Sequence, residues 1–288
     1  MTTACAPKAW ALRRTLAPLN AAAALLLLAA GGMVTSTASG LAVPDWPLSY
    51  GQWLPRMVGG VFFEHGHRLI ATAVGFLVLS MALLTQWEEP RLAVRRLAWT
   101  TLFLVILQGL LGGVTVLYGL PVAISSAHAV LGQTVFCLLV AMGEFVGDDA
   151  GIRADKPAGG LGGASALALG ALWCQLVLGA VLRHGGAGIG GHVIGAVLAS
   201  TAVLWAACRT MIERREPLLR GPAAALLALL ILQLLLGAGA AALRLTPEPR
   251  ASRAMIAIAT SHLVVGALLL GTAVLLTTRL LRLRLEAR

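Results

Sequence analysis

Long apolar runs fall at about 16–37, 62–85, 97–117, 124–146, 162–182, 191–208, 221–243 and 254–277, separated by short polar segments. Each is close to the roughly 20 residues a helix needs to cross a bilayer, so the pattern predicts eight transmembrane helices. The cationic residues sit in the intervening segments. With the N-terminus on the cytoplasmic side, the inner segments carry Lys8, Arg13, Arg14, Arg91, Arg95, Arg96, Arg153, Lys156, Arg209, Arg214, Arg215, Arg220, Arg279, Arg282, Arg284 and Arg288. The outer segments carry Arg56, Arg68, Arg183, Arg244, Arg250 and Arg253. This bias predicts both termini in the cytoplasm. The first run, with Arg13 and Arg14 before it and Ala38, Ser39 and Gly40 after it, also has the form of a cleavable signal peptide. Its Gly31-Gly32-Met33-Val34-Thr35 resembles Gly112-Gly113-Val114-Thr115 at the end of the third run, which marks it instead as a retained helix.

Composition closes off the soluble alternatives. Of 288 residues, 58% are apolar and 12% charged, with mean hydropathy +0.86. Soluble domains are roughly 45–50% apolar and about 25% charged, so neither one water-soluble core nor a disordered chain fits, and no room is left for a soluble domain. A net charge of +10 would suggest nucleic acid in a soluble protein. Here the charges set topology, and the expected partner is the lipid bilayer, with no nucleic acid. Cys5, Cys137, Cys174 and Cys208 show no CxxC or CxH spacing, which argues against a disulfide framework or zinc site.

An internal repeat organises the runs. Gln108 precedes Gly112-Gly113, Gln175 precedes Gly179-Ala180, and Gln233 precedes Gly237-Ala238. Each is followed, beyond a short outer loop, by a histidine at the head of the next run: His128, His192 and His262. His67 supplies the fourth. The expected fold is an all-α membrane protein of two repeated four-helix bundles, residues 1–150 and 151–288.

Four of six histidines at equivalent depths point to a shared metal or cofactor, since an ionisable group in a span is costly and usually functional. Zinc and copper sites gather Cys, Asp or Glu with His at close spacing. Paired imidazoles on different helices of an apolar bundle suit heme iron, which takes axial histidines from opposite faces. Small residues one turn after each ligand, Ala71, Gly132, Gly195 and Gly266, are expected to leave room for a porphyrin plane. Glu64 stands three residues before His67 and shares its helical face, a candidate for partnering the imidazole or transferring protons. Arg68, Arg183 and Arg244 are candidate contacts for heme propionates. His65 and His184 lack counterparts in the repeat and read as loop or interface residues.

The loop Gly40-Leu41-Ala42-Val43-Pro44-Asp45-Trp46-Pro47 with Gly51-Gln52, then Glu64-x-x-His67-Arg68 and single histidines heading the later even helices, resembles the heme A synthase family. The resemblance covers essentially the whole chain. It implies an inner-membrane oxidoreductase that hydroxylates a methyl group of heme O twice, the resulting diol losing water to leave a formyl group, with molecular oxygen as oxidant. The heme A produced would supply cytochrome oxidase assembly. The resemblance further implies that His192 and His262 hold heme b, and that Glu64, His67 and His128 form the substrate-heme site. Its expected partners include a heme O synthase, an electron carrier of unspecified identity and a second copy of the chain. Many bacterial relatives carry cysteine pairs in the first and third outer loops. This chain has Leu48-Ser49-Tyr50 and Arg183-His184-Gly185-Gly186-Ala187-Gly188 there, so no such disulfide can form.

The same four histidines would also suit a non-catalytic di-heme electron-transfer cytochrome, for which Glu64 would be superfluous. A transporter would place charge at the bilayer midplane, whereas charged residues here lie near the run ends.

Overall fold

The computed structural model describes residues 7–146, 159–245 and 252–286. They form eight helices: α1 (Pro7–Ser36), α2 (Gly60–Glu88), α3 (Leu92–Leu117), α4 (Val122–Val146), α5 (Leu161–Arg183), α6 (Ile189–Glu213), α7 (Pro217–Arg244) and α8 (Arg253–Glu286). Among the described residues there is no strand, only a Ser49–Gln52 bridge. All eight helices are long and apolar enough to cross a membrane, so this is a multi-pass membrane protein. Several helices outrun their apolar windows: α1 starts at Pro7 and α8 continues past Arg279 and Arg282. Backbone hydrogen bonding extends a helix beyond the bilayer, whereas hydropathy marks only the part that must avoid water. Arg153, Lys156, Arg250, Arg288 and Cys5 lie outside the described residues.

The chain divides into two compact units, Met1–Asp148 and Asp149–Arg288. In unit 1, α1 packs on α2 and α4, and α3 packs on the same two, so the bundle is a ring with α2 and α4 on a diagonal. In unit 2, α5 and α7 each pack on α6 and α8, which lie on the diagonal. Val74, Val78 and Met81 of α2 and Phe136, Leu139 and Met142 of α4 are buried in unit 1, while Phe76, Phe103 and Ile106 are exposed. Such apolar exposure suits a surface solvated by lipid.

Because lipid is as apolar as the core, close packing and polar contacts hold membrane helices together. At the end of unit 1 that carries the N-terminus of α1, buried Arg13 pairs with buried Glu89 at 3.1 Å. Arg91 meets the same carboxylate at 2.7 Å and the Phe145 carbonyl at 2.6 Å, so one acid ties the ends of all four helices. Burial alone would raise the Glu89 carboxyl, but the Arg91 hydrogen bonds and the charges of Arg91 and Arg13 hold it below its ordinary value. In unit 2, the Ser165 and Thr277 hydroxyls join α5 to α8 at 2.7 Å, and Arg279 donates to the Leu218 carbonyl at 2.7 Å.

Candidate functional site

His67, His128, His192 and His262 lie near the starts of α2, α4, α6 and α8, so each unit places two histidines on its diagonal helices. Every one of these rings rests on a glycine of the preceding helix. A Cβ at Gly31 would stand 3.0 Å from His67 Cε1, at Gly112 3.1 Å from His128, at Gly179 3.0 Å from His192, and at Gly237 3.1 Å from His262. Only an unsubstituted backbone admits the rings without a shift.

Three of the pairs are reciprocal. Gln108 Nε2 donates to the His128 carbonyl at 2.9 Å and lies 3.3 Å from its Nε2. Gln175 Nε2 donates to the His192 carbonyl at 2.9 Å and lies 3.1 Å from its Nδ1. Gln233 Nε2 lies 3.3 Å from His262 Nε2. These amides occupy the space over the glycines one turn after each histidine. A Cβ at Gly132 would be 3.0 Å from Gln108 Nε2, one at Gly266 3.0 Å from Gln233 Nε2, and one at Gly195 would collide with Gln175 Oε1. Those glycines therefore seat glutamines, correcting the expectation that they leave open room for a porphyrin. The α1–α2 pair has Leu27 and Ala71 at the matching positions.

The structure brings His192 and His262 together, with ring centroids 6.4 Å apart and planes at 75°. The two imidazoles are thus close enough for one group to engage both. His262 Nδ1 is buried without a hydrogen-bond partner and is open to a ligand, whereas both His192 nitrogens lie within 3.4 Å of Gln175 Nε2, an amide that a ligand there would displace; among the described residues no three of His, Cys, Asp and Glu converge on a metal position. Heme iron needs only two axial ligands from protein. Arg183 and Arg244 end α5 and α7. Arg183 donates to the Ala259 carbonyl at 3.5 Å, one turn before His262. The two arginines add positive potential to each other, Arg244 adds it at His192, and Arg183 adds it at His262. His184 follows Arg183 as the α5 C-cap. Burial and the Arg183 charge hold its imidazole below the ordinary histidine value.

In unit 1 the histidine-bearing end is crossed by residues 37–59. Glu64 anchors this loop: its Oε2 accepts the Val43 N–H at 2.8 Å and its Oε1 accepts Arg68 Nη2 at 2.7 Å. Arg68 Nη1 donates to the carbonyls of Asp45 and Leu48 at 2.9 and 2.8 Å and to Ser49 Oγ at 3.3 Å. The carboxylate expected to face the His67 imidazole thus engages the loop, and the arginine expected at a propionate does the same. His65 is no loop residue. It lies buried in the first turns of α2, its Nδ1 2.8 Å from Ser49 Oγ. Within the loop, the Asp45 carboxylate accepts the N–H groups of Gly51 at 2.8 Å and Tyr50 at 2.7 Å. Those bonds hold it below the usual carboxylate range. The far side of the loop reaches α3, where Gly113 receives the Trp46 ring so closely that a Cβ would be 2.5 Å from Cδ2. Sequence reasoning missed Trp46, His65 and the glutamine amides as parts of these sites. The Gln-x-x-x-Gly and His-x-x-x-Gly spacings were the available signal for the amides.

Residues 58–192 match the model of the cytochrome oxidase assembly protein family, a stretch that includes Glu64, His67, Arg68, His128 and His192. A heme A synthase of Shouchella clausii is 35% identical over 131 residues, covering 43% of this chain and 42% of the relative. One from Symbiobacterium thermophilum is 31% identical over 131 residues, 45% of this chain and 42% of the relative. One from a Methylobacterium strain is 32% identical over 153 residues, 48% and 41% respectively. The chain thus matches about two fifths of the length of these curated relatives. The similarity to the cytochrome oxidase assembly protein family is thus carried by residues 58–192.

Proposed function

We propose that the protein is a heme A synthase of the inner membrane, oxidising a methyl group of heme O to formyl with molecular oxygen. The observation that carries this is the capped histidine end of unit 1, where Glu64 and Arg68 fasten residues 37–59 beside His67. An electron-transfer cytochrome needs axial ligands but no such enclosure, whereas chemistry on an amphiphilic substrate gains from excluding water. The substrate heme is assigned to His67 and His128, and heme b to His192 and His262, whose rings are close enough for one group to engage both.

When bound, heme supplies the redox chemistry. The protein's part is to position and shield. The imidazoles, set on their glycines, fix the depth and tilt of each ligand. Glu64 holds the loop and is the group we assign to proton transfer at the substrate. Arg183 and Arg244 are assigned to the carboxylates of the C-terminal heme. Arg68 reaches a substrate carboxylate by exchanging one of its loop carbonyls for it. The fourfold glycine seats support a duplicated four-helix unit, and the cationic bias supports cytoplasmic termini. Heme O synthase, an electron carrier and a second copy of the chain are the partners this role implies.

Expression of the chain beside a heme O-producing enzyme, followed by heme extraction and chromatography, tests the proposal. Heme A or a hydroxylated heme O is the expected product. Unconverted heme O with a b-type spectrum would instead favour the di-heme cytochrome.

A further inference from the structure

Trp46 belongs to no repeat, and it lies outside the family-matched segment 58–192. Its indole is nevertheless seated as tightly as any histidine. A Cβ at Gly113 would be 2.5, 2.8 and 2.9 Å from its Cδ2, Cε2 and Cε3, while the adjacent Gly112 seats His128. A single glycine step of α3 therefore fixes an indole and an imidazole ligand at one level of the bundle. The loop is tied to α2 on both sides of the indole, through Val43 to Glu64 and through Asp45 and Leu48 to Arg68. Arg68 binds carbonyls one residue before and two after Trp46, so the ion pair and Gly113 together determine where the indole stands. Trp46 is only partly buried, leaving aromatic surface for something else to cover.

We propose that Trp46 is a substrate-positioning residue of the N-terminal site, its indole contacting a flat, apolar macrocycle held by His67 and His128. This rests on the assignment of a heme substrate to unit 1. Aromatic surface suits such a ligand because ring contacts combine large apolar area with a preferred geometry. Gly113 then acts through Trp46: the atoms nearest a Cβ there all belong to the indole, so alanine displaces it first.

The test uses full-length purified protein, hemin as the probe, and thermal unfolding of the heme-free protein as a control. The N-terminal site is the hemin signal lost in His67→Ala and His128→Ala. Trp46→Ala and Gly113→Ala are each expected to weaken hemin binding there by about tenfold, the scale of one lost aromatic contact. The double variant should be no weaker than either single one, as shared action requires. Trp46→Phe should recover most of the affinity, and Trp53→Ala, at an exposed position of the same loop, should match the parent. Parent-like binding by both Trp46→Ala and Gly113→Ala, or lost thermal stability with affinity intact, would show that the indole only packs the loop and would overturn the proposal. If His67→Ala and His128→Ala leave the hemin signal unchanged, the assignment of substrate to unit 1 falls first and takes the role of Trp46 with it.

Discussion

At Glu64 two neighbours compete for one carboxylate. The spacing of three residues to His67 puts both on one helical face, and that much was legible in the sequence. Arg68, four residues on, offers a charge-assisted hydrogen bond, which is stronger than one from a neutral imidazole, and the Val43 N–H takes the second oxygen. The carboxylate therefore turns toward the loop. The sequence could not show this, because the loop's contribution comes from backbone groups of Val43, Asp45 and Leu48 that side-chain patterns do not reveal. Glu64→Gln removes the charge opposite Arg68 while keeping the shape. With a proton-transfer role, the variant is expected to keep the C-terminal heme and accumulate heme O or a hydroxylated intermediate in extracted hemes. Full heme A production would confine Glu64 to holding the loop.

Between helices, the recurring device is a long polar side chain laid over a glycine of its neighbour. The glutamine and glycine positions were visible as a repeat, but hydropathy treats an apolar helix as uniform and gives no sign of which glycine faces which ring. Gly237 and Gly239, two residues apart on α7, separate seat from spacer. A Cβ at Gly237 would press on His262 Cε1 at 3.1 Å, while one at Gly239 would meet Ile258 at an ordinary 3.6 Å. Alanine in a helix interior is favoured over glycine by about 0.5–1 kcal/mol, so Gly239→Ala should be neutral or slightly stabilising with heme content unchanged. Gly237→Ala should tilt the imidazole and lower heme content in reduced-minus-oxidised spectra, with no comparable fall in the midpoint of thermal unfolding. Equal heme content in the two variants would remove the seat's role in ligand placement.

Across the whole molecule, the eight helices and their pairing along the chain follow from apolar runs joined by short connections, and were legible for that reason. The division of labour between the histidine pairs was not: Glu64 and Arg68 set His67 apart from the other three, but a flanking charge does not say which heme a pair holds. Each pair stands on the diagonal helices of its own unit, which makes the two assignments separable by mutation. If His192 and His262, whose rings the structure brings together, hold heme b as proposed, they should saturate its iron and give a low-spin b-type spectrum that carbon monoxide does not perturb. His192→Ala or His262→Ala should abolish that signal while hemin still binds in unit 1. His67→Ala and His128→Ala should leave it intact while heme O conversion stops. Because cutting a half-buried imidazole to alanine costs about 0.5–3 kcal/mol, heme content must be normalised to folded protein measured by size-exclusion chromatography. Unchanged heme content in both His192→Ala and His262→Ala would remove the heme b assignment, and loss of the low-spin signal in His67→Ala would place that heme in the other unit.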